Sequence, residues 1–324
     1  MRWILPVVVP ALILIAPPVV SAQNEPFLNG PVRLVAAAGP GGNPDVLARL
    51  LAQKFTETLG QPFIVENMPG AGGMIAASFV AKAKPDGHVL MIGDSGALAI
   101  SPALYPNLSY DPLRDFTPIT ALATVPTVLL VNPSVPAKTL AEFVALAKKE
   151  PGKMGYGSAG PGSIHHLTMA IFADLAGIDL LHVPYRGGSA MVNGLLTGEI
   201  QAGWSGIPNV IPLIDSGMLR AYCVSTPERS MSMPVLPTCA ELGYVGFDIA
   251  TMLGLLAPAG VSQSFVDLVQ SAAAKAMREP AMMARMIQFG MVAHEEGTTH
   301  YQQFMKHDVE RYTAIVRELN LQIR

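Results

Sequence analysis

From about residue 31 the chain alternates short apolar runs with amphipathic stretches, and the spacing of those runs predicts its elements. Residues 32–37 form a near-continuous apolar run of strand length, the pattern of a strand covered on both faces. Asn43 followed by Pro44 reads as a helix cap and first helical position. Leu47, Leu50 and Leu51 recur at helical spacing before Gly60 ends the helix. Residues 63–65 read as a second strand, residues 70–73 as a loop into a helix through about Ala83, and residues 88–92 as a third strand. This βαβαβ order predicts a parallel sheet covered by helices.

The same alternation returns further on. Residues 127–131 read as a strand, and Thr139 with Glu142 has capping-box spacing for a helix through Lys149. A strand at 155–158, a helix from Ser163, a strand at 180–184, a helix from Ser189 and strands at 200–204 and 219–224 complete the block. Residues 252–257 read as another strand, after which two helices are expected to finish the chain. The last has Thr299 and Gln302 as a capping box and Tyr301, Phe304, Met305, Tyr312, Ile315, Val316 and Leu319 on one face. Two successive α/β blocks, with terminal helices that need a sheet to rest on, predict two lobes: residues 23–124 plus 250–324, and residues 125–249. The chain would cross between them near 124–127 and 249–252, leaving a cleft where ligands usually bind.

Residues 1–22 are apolar with one charge, Arg2, at the front, and Pro6, Pro10, Pro17 and Pro18 interrupt the run. That is a secretory signal pattern, whereas a spanning helix wants about 20 uninterrupted apolar residues. Small residues at Ser21 and Ala22 offer cleavage before Gln23, so an exported protein is expected. Export raises the question of Cys223 and Cys239, which either pair as a disulfide or stay as two buried thiols.

Composition narrows the function classes. Half the residues are apolar, which excludes a disordered chain. A net charge of −3 excludes a nucleic-acid binder working through a broad basic face. Charged residues make up 14% of the chain, against about 25% in a typical soluble protein. The chain also carries 30 Gly and 28 Pro. Three Gly-rich stretches fall where a strand gives way to a helix: residues 39–43, 93–96 and 157–163. Such turns are either ordinary βα connections or anion cradles, in which free N–H groups and the helix dipole meet a carboxylate or phosphate. Several at the carboxyl ends of parallel strands favour one shared site.

Enzyme patterns fit less well. Gly155, Gly157 and Gly160 match GxGxxG, but they begin inside the strand, and the next strand ends without an acidic residue, so a dinucleotide site lacks its ribose contact. Residues 93–97 fall one glycine short of a hydrolase nucleophile elbow; a serine hydrolase of small esters using Ser95 is the enzyme alternative. His165 and His166 are adjacent and on a helix point about 100° apart, which does not suit a shared metal; neither a metal nor a cofactor is expected.

The loops carry a family resemblance. Val32, Arg33, Leu34 and Val35, then Pro40, Gly41 and Gly42 with Asp45, Ala48 and Arg49, are similar to the opening motif of the periplasmic substrate-binding proteins of tripartite tricarboxylate transporters, the Bug family. The likeness continues through Glu66 and Asn67, Pro69 to Gly73, Pro85 to Gly87, Tyr110 to Pro112, Tyr156 to Gly160, His182 to Tyr185 and Leu256 to Gly260. It implies a type II Venus-flytrap fold, each lobe a mainly parallel sheet flanked by helices. It also implies a carboxylate solute held between the lobes and passed to membrane permease subunits, with sensing as an alternative role. No catalysis is implied, and a monomer is expected.

The resemblance places the carboxylate on Ala38, Gly39, Gly41, Gly42 and Asn43 and on the loop of Tyr185, Arg186, Gly187 and Gly188. Ser158, Ala159, Gly160 and Ser163, with Ser95, add hydroxyl and amide contacts. His166 is a further candidate donor, and Trp204 a candidate ring to stack on the ligand beside Ser205. The chain departs from the family's usual pattern in carrying Ala37 and Ala38 where Pro-Phe is common, Pro44 where Thr is usual, and Gln201 and Ser205 around Trp204 where aspartates are frequent. A roomier, less acidic pocket for a bulky or aromatic carboxylate such as terephthalate is one expectation; a repacked pocket of ordinary size is the other.

Overall fold

A computed structural model describes residues 29–207, 210–294, 296–319 and 321; the expected signal segment lies outside the described residues. The chain opens with β1 (Val32–Ala36), α1 (Asn43–Leu59) and β2 (Phe63–Asn67), then a 3-10 turn (Ala71–Gly73) running into α2 (Met74–Ala81) and β3 (Val89–Asp94). A π-type turn (Gly96–Ile100) and α3 (Ser101–Leu104) lead to β4 (Phe116–Val131), followed by α4 (Leu140–Lys149), β5 (Gly155–Ser158), α5 (Ile164–Ala176) and β6 (Leu181–Pro184). Next come α6 (Gly188–Thr197), β7 (Ala202–Gly206), α7 (Ile211–Asp215), β8 (Arg220–Val224) and β9 (Ala250–Pro258). The chain finishes with α8 (Gln263–Met277), α9 (Pro280–Gln288), β10 (Val292–Ala293) and α10 (Thr298–Glu318).

The strands run in the order β2-β1-β3-β9-β4-β7-β5-β6, with β10 and β8 also pairing β4. The βαβ units supply the parallel pairs, β1 with β2 and β3, and β5 with β6 and β7. The crossing strands run against them: β9 is antiparallel to β3 and β4, and β4 to β7, β8 and β10. Each lobe therefore has a mixed sheet. β4 belongs to both, pairing with β9 along residues 116–126 and with β7 along residues 127–131. Only its second end reads as a strand in sequence, because Pro118, Thr120 and Pro126 interrupt the apolar run of the first; two register shifts against β9 accommodate that irregularity.

Alternation along the strands divides the core. Leu34 packs with Leu47, Leu51 and Phe55 of α1, while Val35 faces the other side with Val80, Met91 and Tyr301. In the second sheet Leu129 joins Phe143, Phe172 and Trp204, and Leu130 joins Met191, Leu195 and Val224. α10 spans two clusters, with Tyr301 and Met305 in one and Tyr312 and Val316 in another beside Phe247 and Ile249.

Several local expectations change. Asn43 does not cap α1: Gly42 is the cap, in extended conformation and without a side-chain bond, because the Asn43 side chain lies against Gly206 of the other lobe. Gly297, not a Thr299 capping box, precedes α10, and the Thr298 hydroxyl instead donates to Ile119 O at 2.6 Å. Among the described residues three helices, not two, follow β9, since Pro280 at the start of α9 cannot continue α8. The caps by Thr139 and Ser163 are present, accepting from the N–H of Glu142 and of His166. Cys223 and Cys239 are joined as a disulfide across Cα atoms 5.2 Å apart.

Candidate functional site

The cleft between the two sheets encloses a cavity of about 100 Å³. One wall comes from the β1–α1 turn (Ala37, Ala38, Gly39, Gly42, Asn43), the 3-10 turn (Gly72, Gly73) and the end of β3 (Asp94, Gly96). The facing wall comes from Ala159, Ser163, Ile164 and His165 at the start of α5, Arg186 to Ser189 at the start of α6, and Ser205 of β7; Thr251 of β9 completes the lining. The N-terminal ends of α1, α5 and α6 thus meet at one space, where unpaired N–H groups and aligned dipoles favour negative charge. Arg186 is the only Lys or Arg among the described lining residues.

The first turn is held from behind. Asp45, almost fully buried, accepts from Gly41 N at 2.8 Å and from Asn67 Nδ2 at 2.8 Å, and pairs with Arg49 at 2.9 Å. Asn67 Nδ2 also donates to Ala38 O at 3.0 Å. Burial works against the Asp45 charge, but the bonds from Arg49, Gly41 and Asn67 outweigh it and hold the carboxyl below its usual range. Gly42 has to be glycine, since a Cβ there would lie 2.8 Å from the Ala38 Cβ.

The lobes approach closely. A Cβ on Gly72 would lie 3.2 Å from Pro161 O and from Ser163 N of the opposite wall. A Cβ on Gly206 would run into the Asn43 side-chain amide.

Ten of the expected site residues line the cleft: Ala38, Gly39, Gly42, Asn43, Ala159, Ser163, Arg186, Gly187, Gly188 and Ser205. The others sit outside the lining. Gly41 gives its N–H to Asp45 instead. Ser158 is buried, lying 2.7 Å from His182 Nε2 and accepting from Gly160 N at 3.1 Å, so these residues shape the turn from within. His166 turns back to stack on His182 with ring centroids 4.2 Å apart; burial, then the neighbouring His182, pushes it down to about 4. The ring of Tyr185 packs over Gly194 and Gly157. Trp204 is wholly buried between Phe172 and Phe247 and cannot stack on a ligand, because alternation along β7 gives the cleft Ser205.

Ser95 also faces away. Its Oγ donates to Asp308 of α10 at 3.2 Å and accepts from Met252 N at 3.1 Å. No histidine is bonded to it among the described residues; its hydroxyl is engaged by Asp308 and Met252.

Asp94 and His165 take the cleft positions that were assigned to their neighbours Ser95 and His166. Burial pushes the Asp94 carboxyl up to about 6, against backbone N–H bonds from Ala97 and Gly96. Burial pushes His165 down to about 4, which leaves it neutral at pH 7. The signal for both lay in the motifs already singled out, but adjacency could not say which of two neighbours turns inward. Ser205 faces the cleft, and Asp94 places one carboxyl in the lining.

A family model described as tripartite tricarboxylate transporter family receptor matches residues 47–321. The chain belongs to this receptor family. Among curated proteins, BugT of Bordetella pertussis is 32% identical over 306 residues, covering 94% of this chain and 93% of BugT. Among solved structures, an R. palustris protein with adipate superposes with a TM-score of 0.88 at 30% identity, covering 91% of this chain and 98% of that one. MatC from Rhodopseudomonas palustris, solved with bound malate, superposes at 0.83 with 31% identity, covering 88% and 98%. The two-lobed fold of this receptor is thus shared with solute-binding proteins along nearly its whole length. No helix among its described residues is long and apolar enough to cross a membrane.

Proposed function

We propose that this receptor captures a small dicarboxylate in the periplasm and delivers it to the permease subunits of a tripartite tricarboxylate transporter. The observation that carries the reading is the meeting of three helix N-termini and Arg186 around one cleft cavity. One carboxylate would be received by the amides of Gly39 and Asn43 and the other by those of Gly187 and Gly188, with Arg186 at the rim. The lobes, residues 23–124 plus 250–324 and residues 125–249, close over the solute about the crossings near Pro126 and Ala250. The protein acts as a monomer, exported by the signal segment at residues 1–22, and performs capture without chemistry.

Two ligand sizes compete. Ala37 and Ala38 favour a ring-bearing acid such as terephthalate. A compact aliphatic diacid, whose chain can bend to follow a narrow cleft, is favoured over a rigid ring by a cavity of only about 100 Å³. Adipate and malate, bound by the two relatives, are of that kind. The test is thermal shift and calorimetry with succinate, malate, adipate, citrate, benzoate and terephthalate. A raised Tm with the aliphatic diacids is expected. Terephthalate binding more tightly than all of them would overturn the compact-ligand reading, and no response to any carboxylate would overturn the receptor reading itself.

A further inference from the structure

Asp94 is an odd feature for an anion site. It ends β3 on the cleft wall, partly exposed, and its Oδ1 accepts from Ala97 N at 3.0 Å. None of the ion pairs among the described residues involves it. The titratable side chains nearest in effect are the phenols of Tyr110 and Tyr301, and Tyr110 already donates to Ala97 O at 2.5 Å. The lining also carries the Arg186 guanidinium and the side chains of Asn43, Ser189, Ser205 and Thr251, while Ser163 gives its own proton to Gly160 O at 2.6 Å. With Asp94 ionised, a carboxylate with only acceptor atoms would bring its oxygens against the Asp94 oxygen with no proton between them. A donor on the ligand turns that clash into a charge-assisted hydrogen bond.

We propose that Asp94 selects, among small dicarboxylates, those that also carry a hydrogen-bond donor on the chain, a hydroxyl or an ammonium group. The proposal rests on the carboxylate-receptor reading and deepens it. His165, neutral and with its Nδ1 unpartnered among the described atoms, stands on the opposing wall as a second polar group for the same substituent.

Matched ligands test it by calorimetry: succinate against malate and aspartate, and glutarate against 2-hydroxyglutarate and glutamate, with the series of higher affinity deciding. The wild-type protein should bind the hydroxy or amino member about tenfold or more tightly than the unsubstituted diacid, the scale of one charged hydrogen bond. The hydroxy and amino arms say which donor Asp94 prefers. Asp94→Asn keeps an oxygen for Ala97 N and should bring the ratio within about twofold, with the unsubstituted diacid bound more tightly than before. A wild-type ratio near one, or a ratio unchanged in Asp94→Asn, overturns the proposal while the receptor reading stands. Failure of every diacid to bind overturns both. The wild-type ratio needs no variant, so the test survives if Asp94→Asn does not fold.

Discussion

Asp308 shows how a single buried group sets a pH dependence. It sits on the buried face of α10, bonded to the Ser95 hydroxyl, and burial raises its carboxyl from 3.8 to about 6 against the pull of Arg311, Ser95 and His307. A carboxyl raised on folding binds its proton more tightly in the native state. Its contribution is therefore full below about pH 4 and is lost as pH rises through about 6. Asp308→Asn removes that loss and keeps an acceptor for Ser95. Its Tm relative to wild type should be higher at pH 7.5 than at pH 4.5, by an amount on the order of 1–3 kcal/mol in stability. An equal offset at both pH values would show that Asp308 keeps an ordinary pKa. At this scale sequence reading found the right segments and missed the directions. Ser95 and Asp94, or His166 and His165, differ only in which side of a strand end or helix turn they occupy, and chain neighbours carry no mark of it.

At the level of elements, the β1–α1 turn is ordered by groups that never touch the cleft. Asn67, at the end of β2, joins the turn to the Asp45 carboxylate through two bonds from one amide nitrogen. Asn67→Ala should cost about 1–3 kcal/mol in denaturant-measured stability. It should also weaken diacid binding severalfold, since the amides of Gly39 and Asn43 lose their fixed geometry. Affinity unchanged at reduced stability would mean that the turn orders itself. Asp45 and Asn67 are legible in the sequence as parts of the family motif, but their joint role needed the β1–β2 pairing that sets Ala36 beside Asn67. The helices were easier to read, since α1, α4 and α5 begin and end within a residue or two of their Gly, Pro, Ser and Thr signals.

For the whole molecule the decisive element is β4, which runs through both sheets. Ser225 binds the two crossings together, meeting Thr127 Oγ1 at 2.8 Å and also donating to Ile249 O. Gly206 lies against the Asn43 side chain of the other lobe with no room for a Cβ. Gly206→Ala should leave the ligand-free Tm within a few degrees and weaken diacid binding by tenfold or more, about 1.4 kcal/mol. Small-angle scattering should then show a ligand-saturated radius of gyration closer to that of the ligand-free protein. Asn43→Ala in the same chain should restore the compaction. Wild-type compaction in the single variant would show that the Asn43 amide swings aside.

What the sequence by itself determined is local and periodic. Alternating apolar runs specify the strands β1, β2, β3, β5 and β6, glycine and proline mark where helices begin and end, and the glycine-rich turns name the segments that meet an anion. Tertiary structure decided how those segments face one another. Trp204 went inward and Ser205 outward because β7 packs on α5, Asp94 entered the cleft because β3 ends beside the 3-10 turn, and the first half of β4 became a strand through its pairing with β9. The physical reason is that hydrophobic period records which face of an element is buried. Which of the remaining faces looks into a cleft depends on a second sheet whose position no local pattern encodes.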